Sequence, residues 1–146
     1  MTMKTRCSWV PLDKPLYVRY HDEEWGLPVH EDRKLFELLL LESTQAGLSW
    51  YLILRKRENF RSAFNQFDPQ KIALYTHDKI EELLHNQGII RNRRKIEATV
   101  TNAKAFLRIQ EQFGSFDVFI WNFVNGKPVI NHWETIEQMP SKTECS

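Results

Sequence analysis

Cysteine is scarce in this sequence: among 146 residues there are only Cys7, near one end, and Cys145, near the other. Two cysteines do not form a disulfide framework, and no segment resembles a secretory signal, so a disulfide-stapled secreted protein is not expected. The sequence also lacks any run of about 18 or more apolar residues, so no membrane span is predicted. The cytoplasm is therefore the expected location.

A large net charge is also missing, since the formal value is +1 at pH 7. This value neither predicts nor excludes a nucleic-acid partner, because the position of the charges decides. Positive charge is clustered at 55–57 and at 91–95. The hydrophobic fraction of 42% and the charged fraction of 27% are ordinary for a globular protein. With no internal repeat or low-complexity stretch, residues 1–146 are expected to form one domain.

Few segments alternate between apolar and polar residues at period two, so strands are not predicted. Helical spacing dominates instead, and the predicted fold is all-α. Ser49, Asp68 and Ser115 are expected N-caps, with Pro69 at a first helical position. The segment 129–146 is only weakly periodic and is predicted to be loop. Helices are predicted at 31–41, 50–65, 69–74, 77–86, 93–112 and 116–124.

One glutamate stands where acids are costly: Glu42 directly follows four leucines, 38–41. A carboxylate against apolar walls is paired, protonated or functional. The sequence therefore predicts a buried Glu42 with a chemical role. The alternative is a helix-end glutamate that reaches solvent or binds nearby backbone N–H groups.

Aromatic residues are numerous, with five tryptophans and nine phenylalanines. Most are expected to fill the core. Several tryptophans and tyrosines, however, flank Glu42 on both sides in the sequence, and rings beside an acid favour a pocket that stacks a flat ring and binds its edge. The candidates are Trp9, Tyr17, Tyr20, Trp25 and Trp50.

A helix, a short turn with glycine, and a second helix are predicted around 83–98. Backbone N–H groups at the start of the second helix, surrounded by cations, suit a DNA phosphate and would position a protein without reading base sequence. The alternative is an ordinary αα-hairpin with a solvated basic face. The candidate DNA-binding residues are Gly88, Arg91, Arg93, Arg94 and Lys95.

Cys7 and His21 can form half of a tetrahedral zinc site, which needs four ligands. Neither Cys145 nor His132 completes a recognisable paired spacing. The alternative is that these residues bind no metal. The stretch 21–24 also lacks a second histidine one helical turn away, so metal-assisted hydrolysis is not predicted.

Taken together, these motifs resemble the bacterial type I 3-methyladenine DNA glycosylases, and the likeness covers essentially the whole chain. The densest match spans Tyr17 to Trp50. The matching segments are 7–9, 15–26, 34–37, 41–42, 45–50, 55–59, 67–69, 88–96 and 121–124.

The resemblance implies a helix-hairpin-helix DNA glycosylase fold, with the hairpin near 84–96. It implies excision of N3-methyladenine, and more weakly N3-methylguanine, from alkylated double-stranded DNA by a monomeric enzyme. No pocket lysine is evident as a nucleophile, so strand cleavage through a Schiff base is not expected.

The resemblance also assigns roles to individual residues. Glu42 matches the pocket acid that contacts the base and assists cleavage. Gly47 and Leu48 match the turn that fills the gap left by the extruded base, and Cys7 and His21 match two structural zinc ligands. The base-binding residues implied are Tyr17, Tyr20, the stacking Trp50, and the wall residues Trp9 and Trp25.

The family extends beyond the position of Ser146 with a further helix and with the other two zinc ligands, a histidine and a cysteine. Cys145 does not occupy that ligand position. The resemblance therefore implies a C-terminally truncated form that lacks half of the zinc site. Two alternatives to an active enzyme follow: a lesion- or DNA-binding module with little turnover, and a non-functional product that folds marginally.

Overall fold

The computed structural model describes residues 4–146, and all regular secondary structure within that range is helical. The all-α prediction is confirmed. A short 3-10 helix, Asn65–Phe67, follows α3, and a second, Ile136–Gln138, lies in the C-terminal segment. The α-helices are α1 (Pro15–Glu23), α2 (Asp32–Gln45), α3 (Trp50–Ala63), α4 (Pro69–Ile72), α5 (His77–Leu84), α6 (Arg93–Phe113) and α7 (Phe116–Asn122).

The predicted N-caps are confirmed. The Ser49 hydroxyl accepts a hydrogen bond from the Leu52 N–H, and the Ser115 hydroxyl accepts one from Val118. The Asp68 carboxylate accepts from the second and third N–H groups of α4. These caps satisfy N–H groups that the first helical turn leaves free, which is why each helix starts where it does. The predicted start of α5 at residue 77 is also confirmed, and Thr76 is its N-cap, with its hydroxyl accepting from the Lys79 N–H.

Helix α1 was not predicted. Lys14 stands at its N-cap position without a side-chain capping hydrogen bond, and Pro15 occupies the first helical position. No residue of α1 is fully buried, so the helix lacks the apolar stripe on which a sequence-based prediction depends. Its inward face instead carries the half-buried rings of Tyr17 and Tyr20.

The hydrophobic core lies around α6, a helix of 21 residues that packs against α2, α4, α5 and α7. Helix α2 contributes Phe36, Leu40 and Leu41 to this core, and Leu39 is exposed. The leucine run is therefore buried on one face only, as 3.6 residues per turn requires. The other core residues include Ile53, Phe60, Phe64, Phe67, Ile72, Leu83, Ile89, Ile96, Val100, Ala103, Phe106 and Phe116.

The C-terminal segment confirms the loop prediction: residues 127–146 are exposed, and their only regular element is the second 3-10 helix. Within residues 4–146, none of the helices combines the length and the apolar character that a bilayer crossing requires.

One carboxylate joins the start of α2 to the start of α7. Asp32 accepts hydrogen bonds from the Phe116 and Asp117 N–H groups, at 2.9 and 2.8 Å, and from the Gln110 side chain at 2.7 Å. Burial by itself raises the pKa of Asp32, but these three donors outweigh burial and hold the pKa below its ordinary value.

We expect Asp32→Ala to lower the free energy of unfolding by about 2 kcal/mol, the scale of a hydrogen bond to a charged group. Because the folded-state pKa is depressed, this stabilisation is present above the unfolded pKa, about 3.9, and is lost as the pH falls below it. Urea unfolding at pH 7 and pH 3 measures both effects. Glu31→Ala is the control, since Glu31 is exposed and, within residues 4–146, its carboxylate pairs with Lys34 alone, at 3.7 Å. Equal losses in the two variants would contradict the assignment.

Candidate active site

An open cavity of about 250 Å³ lies where the N-terminal segment, α1, the end of α2 and the start of α3 meet. The structure brings all six predicted pocket residues together at this cavity, although they are spread over some forty positions of the sequence. Gln45 is a seventh lining residue that sequence analysis missed, and its position three residues after Glu42 on α2 is the signal that points to it. The lining residues are Trp9, Tyr17, Tyr20, Trp25, Glu42, Gln45 and Trp50.

The rings of this cavity contact one another mainly at an angle. The Trp9 ring meets Trp25 edge-on at 5.2 Å between centroids, and it lies 5.7 Å from Tyr17. The Tyr20 and Trp50 rings lie 5.5 Å apart at 60°. Edge-to-face packing of this kind is favourable and locks each ring by its neighbours. The cavity therefore has rigid aromatic walls that suit a flat guest.

Helix α2 sets the direction of Glu42. Phe36, Leu40 and Thr44 are buried on the core side, so Glu42, on another face, turns away from the core and toward the cavity. The prediction of a buried Glu42 was wrong: the residue is exposed at the cavity. Among residues 4–146, no side chain or backbone N–H hydrogen-bonds to its carboxylate.

The cavity shifts the pKa values of three of its lining residues, Glu42, Tyr17 and Tyr20. Partial burial raises the pKa of Glu42 above the ordinary value for a glutamate. Burial, and then the negative charge of Glu42, raise the pKa of Tyr17 and of Tyr20. The two phenols therefore keep their protons at neutral pH and act as hydrogen-bond donors beside the carboxylate.

A second cavity, of about 580 Å³, adjoins the first and shares Tyr20, Trp25 and Glu42 with it. Its wall contains a buried ion cluster that sequence analysis missed. The Glu37 carboxylate, 8% exposed, accepts from Arg57 at 2.6 Å and from Arg61 at 2.8 Å. The signal in the sequence was Glu37 itself, an acidic residue at a core-facing position of α2, where a buried charge needs a partner. Arg57 also pairs with Glu24 at 2.8 Å, so two carboxylates and two guanidinium groups balance in charge. Glu42 lines both cavities, and within residues 4–146 no cation pairs with it.

A tight turn connects Glu42's helix to α3. Gly47 has φ of 77°, a left-handed conformation that glycine adopts without strain. The Gln45 side-chain amide donates to the Leu48 carbonyl at 2.7 Å, and the Leu48 N–H donates to the Gln45 carbonyl at 2.7 Å. Leu48 is half-buried and packs against the edge of the core. The turn is thus ordered and places a leucine beside the cavity.

Lys95 reaches this turn from the start of α6. Its ammonium group donates to the Thr44 carbonyl at 2.8 Å and to the Ala46 carbonyl at 2.7 Å. These carbonyls lie at the end of α2, where backbone acceptors lack helical partners and a cation is favoured. Lys95 was predicted to contact phosphate. Its ammonium instead binds the protein itself and ties α6 to the Gly47 turn.

The predicted DNA-binding cations of the hairpin between α5 and α6 differ in whether they form ion pairs within the protein. Arg93 pairs with Glu81, and more distantly with Glu97 at 3.8 Å. Arg91 and Arg94 are exposed, and no carboxylate of residues 4–146 forms an ion pair with either. Two of the four predicted cations are therefore available to an outside anion.

Gly88 packs the hairpin against α3. Its N–H donates to the Asn86 side chain at 2.8 Å, and its carbonyl accepts from the Asn59 side chain at 3.1 Å. A β-carbon at this position would lie 3.1 Å from Asn59, closer than usual packing allows. The Gly88 N–H and carbonyl are therefore both bonded within the protein, and a DNA contact by Gly88 stays a prediction.

Cys7 and His21 are neighbours, as the zinc prediction requires: the Cys7 N–H lies 3.4 Å from the His21 Nε2 atom. His21 Nδ1 lies 3.0 Å from Asp22, which in turn pairs with Arg6 at 2.7 Å. No group of three or more histidine, cysteine or acidic side chains suited to a metal occurs within residues 4–146. Because a structural zinc site needs four ligands, the described residues do not complete one, and no chemical step is assigned to a metal.

The comparison with known families agrees with this geometry. Residues 9–146 match the family described as methyladenine glycosylase. The chain belongs to the methyladenine glycosylase family. A relative in this family from Haemophilus influenzae, named DNA-3-methyladenine glycosylase, is 49% identical over 144 residues, which cover 99% of this chain and 77% of the relative.

Solved structures of the family confirm the fold. A crystal structure of 3-methyladenine DNA glycosylase I has a TM-score of 0.92 and 48% identity, and the match covers 97% of this chain and 77% of that one. A variant of such an enzyme in complex with 3-methyladenine has a TM-score of 0.88 and 39% identity over 90% of this chain and 71% of that one.

Proposed function

We propose that this chain hydrolyses the N-glycosidic bond of N3-methyladenine, and more weakly of N3-methylguanine, in alkylated double-stranded DNA. The observation that carries the proposal is the free carboxylate of Glu42 in an aromatic cavity. The names of the relatives support the same activity.

The cavity suits a cationic flat base. N3-methyladenine carries a positive charge, so it is attracted both by the electron-rich faces of indole and phenol rings and by an ionised Glu42. The same carboxylate can accept a hydrogen bond from the exocyclic amine. Normal adenine is neutral and gains less from both interactions. We therefore assign base stacking to Trp50, and the remaining walls to Trp9, Trp25, Tyr17 and Tyr20.

The base reaches the cavity only after leaving the duplex, because a stacked base is inaccessible to an enzyme. Extrusion leaves a gap that an apolar side chain can fill. Leu48 is the candidate, since it stands on an ordered turn beside the cavity. Arg91 and Arg94 supply the free positive charge at the hairpin that would hold the DNA backbone.

The chemistry needs little acid catalysis. The C1′–N bond breaks with its electron pair moving to the base, which becomes neutral, and water adds its oxygen to C1′ while releasing a proton. Positive charge develops on the sugar, as in other glycosidic cleavages. We assign Glu42 primarily to base recognition and secondarily to assisting this cleavage. The monomeric state and the cytoplasmic location stay predictions.

The decisive experiment is the release of free 3-methyladenine from methylated duplex DNA, followed by chromatography. Release by the 146-residue chain at a rate above the spontaneous one supports the proposal. Tight binding of methylated duplex without release would instead favour a lesion-binding module.

Removing the stacking ring should weaken base binding. We expect Trp50→Ala to reduce the affinity for free 3-methyladenine by about 1–3 kcal/mol, the usual scale of base stacking on an aromatic side chain. Calorimetric titration of the free base measures this loss. Trp121→Ala removes an indole that stacks on His30, away from the cavity, and should leave the affinity unchanged. An unaltered dissociation constant in Trp50→Ala would rule out the stacking role.

Removing the ammonium that holds the turn should affect duplex substrate more than free base. We expect Lys95→Met to lower base release from duplex DNA about tenfold, or about 1.4 kcal/mol, because the turn loses the two hydrogen bonds that hold it to α6. Binding of free 3-methyladenine should change little, since Lys95 does not line the cavity. The matched control is Lys104→Met, on the exposed side of α6. Equal rates in the two variants would contradict this role.

A further inference from the structure

Two cations share one tyrosine ring beside the cavity. The Lys14 ammonium lies 4.8 Å from the centre of the Tyr51 ring, and the Arg55 guanidinium carbon lies 5.9 Å from it. Within residues 4–146, neither cation forms an ion pair with a carboxylate. The other two arginines of α3, Arg57 and Arg61, differ because both pair with glutamates. Two like charges gathered on one ring without an acid leave a local excess of positive charge.

The position of this pair connects the two proposed DNA-contacting regions. On one side, the Tyr51 ring is parallel to the ring of Tyr17, which lines the cavity, at 6.1 Å. On the other side, Arg55 stands one helical turn before Asn59, which holds the hairpin through the Gly88 carbonyl. Residues four apart lie on the same face of a helix, so Tyr51, Arg55 and Asn59 form one line along α3.

We propose that Lys14 and Arg55, held by Tyr51, bind phosphates of the DNA strand whose base enters the cavity. The site presupposes the proposed activity on DNA. A nucleotide whose base lies against Tyr17 keeps its phosphates outside the cavity, and a backbone that runs from there to the hairpin must pass over Arg55. Phosphate is the anion that such a path presents, and arginine and lysine are its usual partners.

The test is the salt dependence of binding to a duplex that carries one stable abasic-site analogue. Each lost phosphate contact lowers the slope of log K against log salt by about 0.9. The double variant Lys14→Gln with Arg55→Gln should therefore lower the slope by about two. Lys104→Gln with Arg108→Gln removes the same charge from exposed positions of α6 more than ten residues beyond its start, and should leave the slope nearly unchanged.

Affinity for free 3-methyladenine should stay the same in the Lys14–Arg55 double variant, which shows that the cavity still folds. An unchanged slope, or equal changes in both double variants, would overturn the phosphate site. Base release by the parent chain in the same buffer separates this result from the activity itself. Release with an unchanged slope overturns the site alone, whereas no release by the parent overturns the proposed function.

Discussion

Glu42→Gln should reduce the release of 3-methyladenine from duplex DNA by about 10²–10³-fold, the scale of removing one preorganised electrostatic contact to the reacting centre. Glutamine keeps the shape of the side chain and one acceptor oxygen, but it removes the negative charge. Because no described residue neutralises Glu42, that charge is fully available to the cationic base. The loss should therefore appear both in the affinity for free 3-methyladenine and in the rate of release.

The control for this change is Glu111→Gln, at an exposed position near the end of α6. It alters the net charge equally and should release the base at the parental rate. Unchanged affinity of Glu42→Gln for the free base would contradict the role of Glu42 in base recognition. Loss of release with unchanged affinity would leave only the assistance of cleavage.

Activity and stability should respond to pH in opposite directions at Glu42. Recognition needs the ionised carboxylate, so release should fall as the pH drops through the pKa of Glu42, which burial places above the ordinary value of about 4.3. A raised folded-state pKa means that ionisation costs stability, so the contribution of this group to folding is lost as the pH rises through that pKa. Glu42→Gln should therefore be no less stable than the parent at neutral pH.

Sequence periodicity and capping residues predicted most of the fold. Ser49, Asp68 and Ser115 fixed helix starts through local hydrogen bonds, which depend only on neighbouring residues. Helix α1 was missed because the partners that hold its face lie elsewhere: Tyr20 contacts Trp50, thirty positions away. Local patterns carry no information about such contacts.

The residues of the candidate pocket were predicted from residue type together with family resemblance, and in the structure they line one cavity. The environment of each member was harder to predict. Glu42 is exposed because the leucine run before it is buried on one face of α2 only. Lys95 looked like a member of a basic run, yet its ammonium binds carbonyls about fifty residues earlier. Which cations of a run stay free depends on tertiary partners that the sequence does not place.

Leu48→Ala should lower base release from duplex DNA by about 10–100-fold. Burying a leucine side chain contributes about 1.5–3 kcal/mol, and under the proposed wedge role Leu48 gains burial in the gap that the extruded base leaves. Single-stranded methylated DNA has no stacked gap to fill, so release from it should be nearly parental. Leu39→Ala, a partly exposed leucine on α2, is the matched control and should affect neither substrate. The ratio of the two release rates is informative because a general loss of folding lowers both, whereas a missing wedge lowers only the duplex rate. Equal losses on the two substrates would show that Leu48 serves the packing of the turn and not the extruded state.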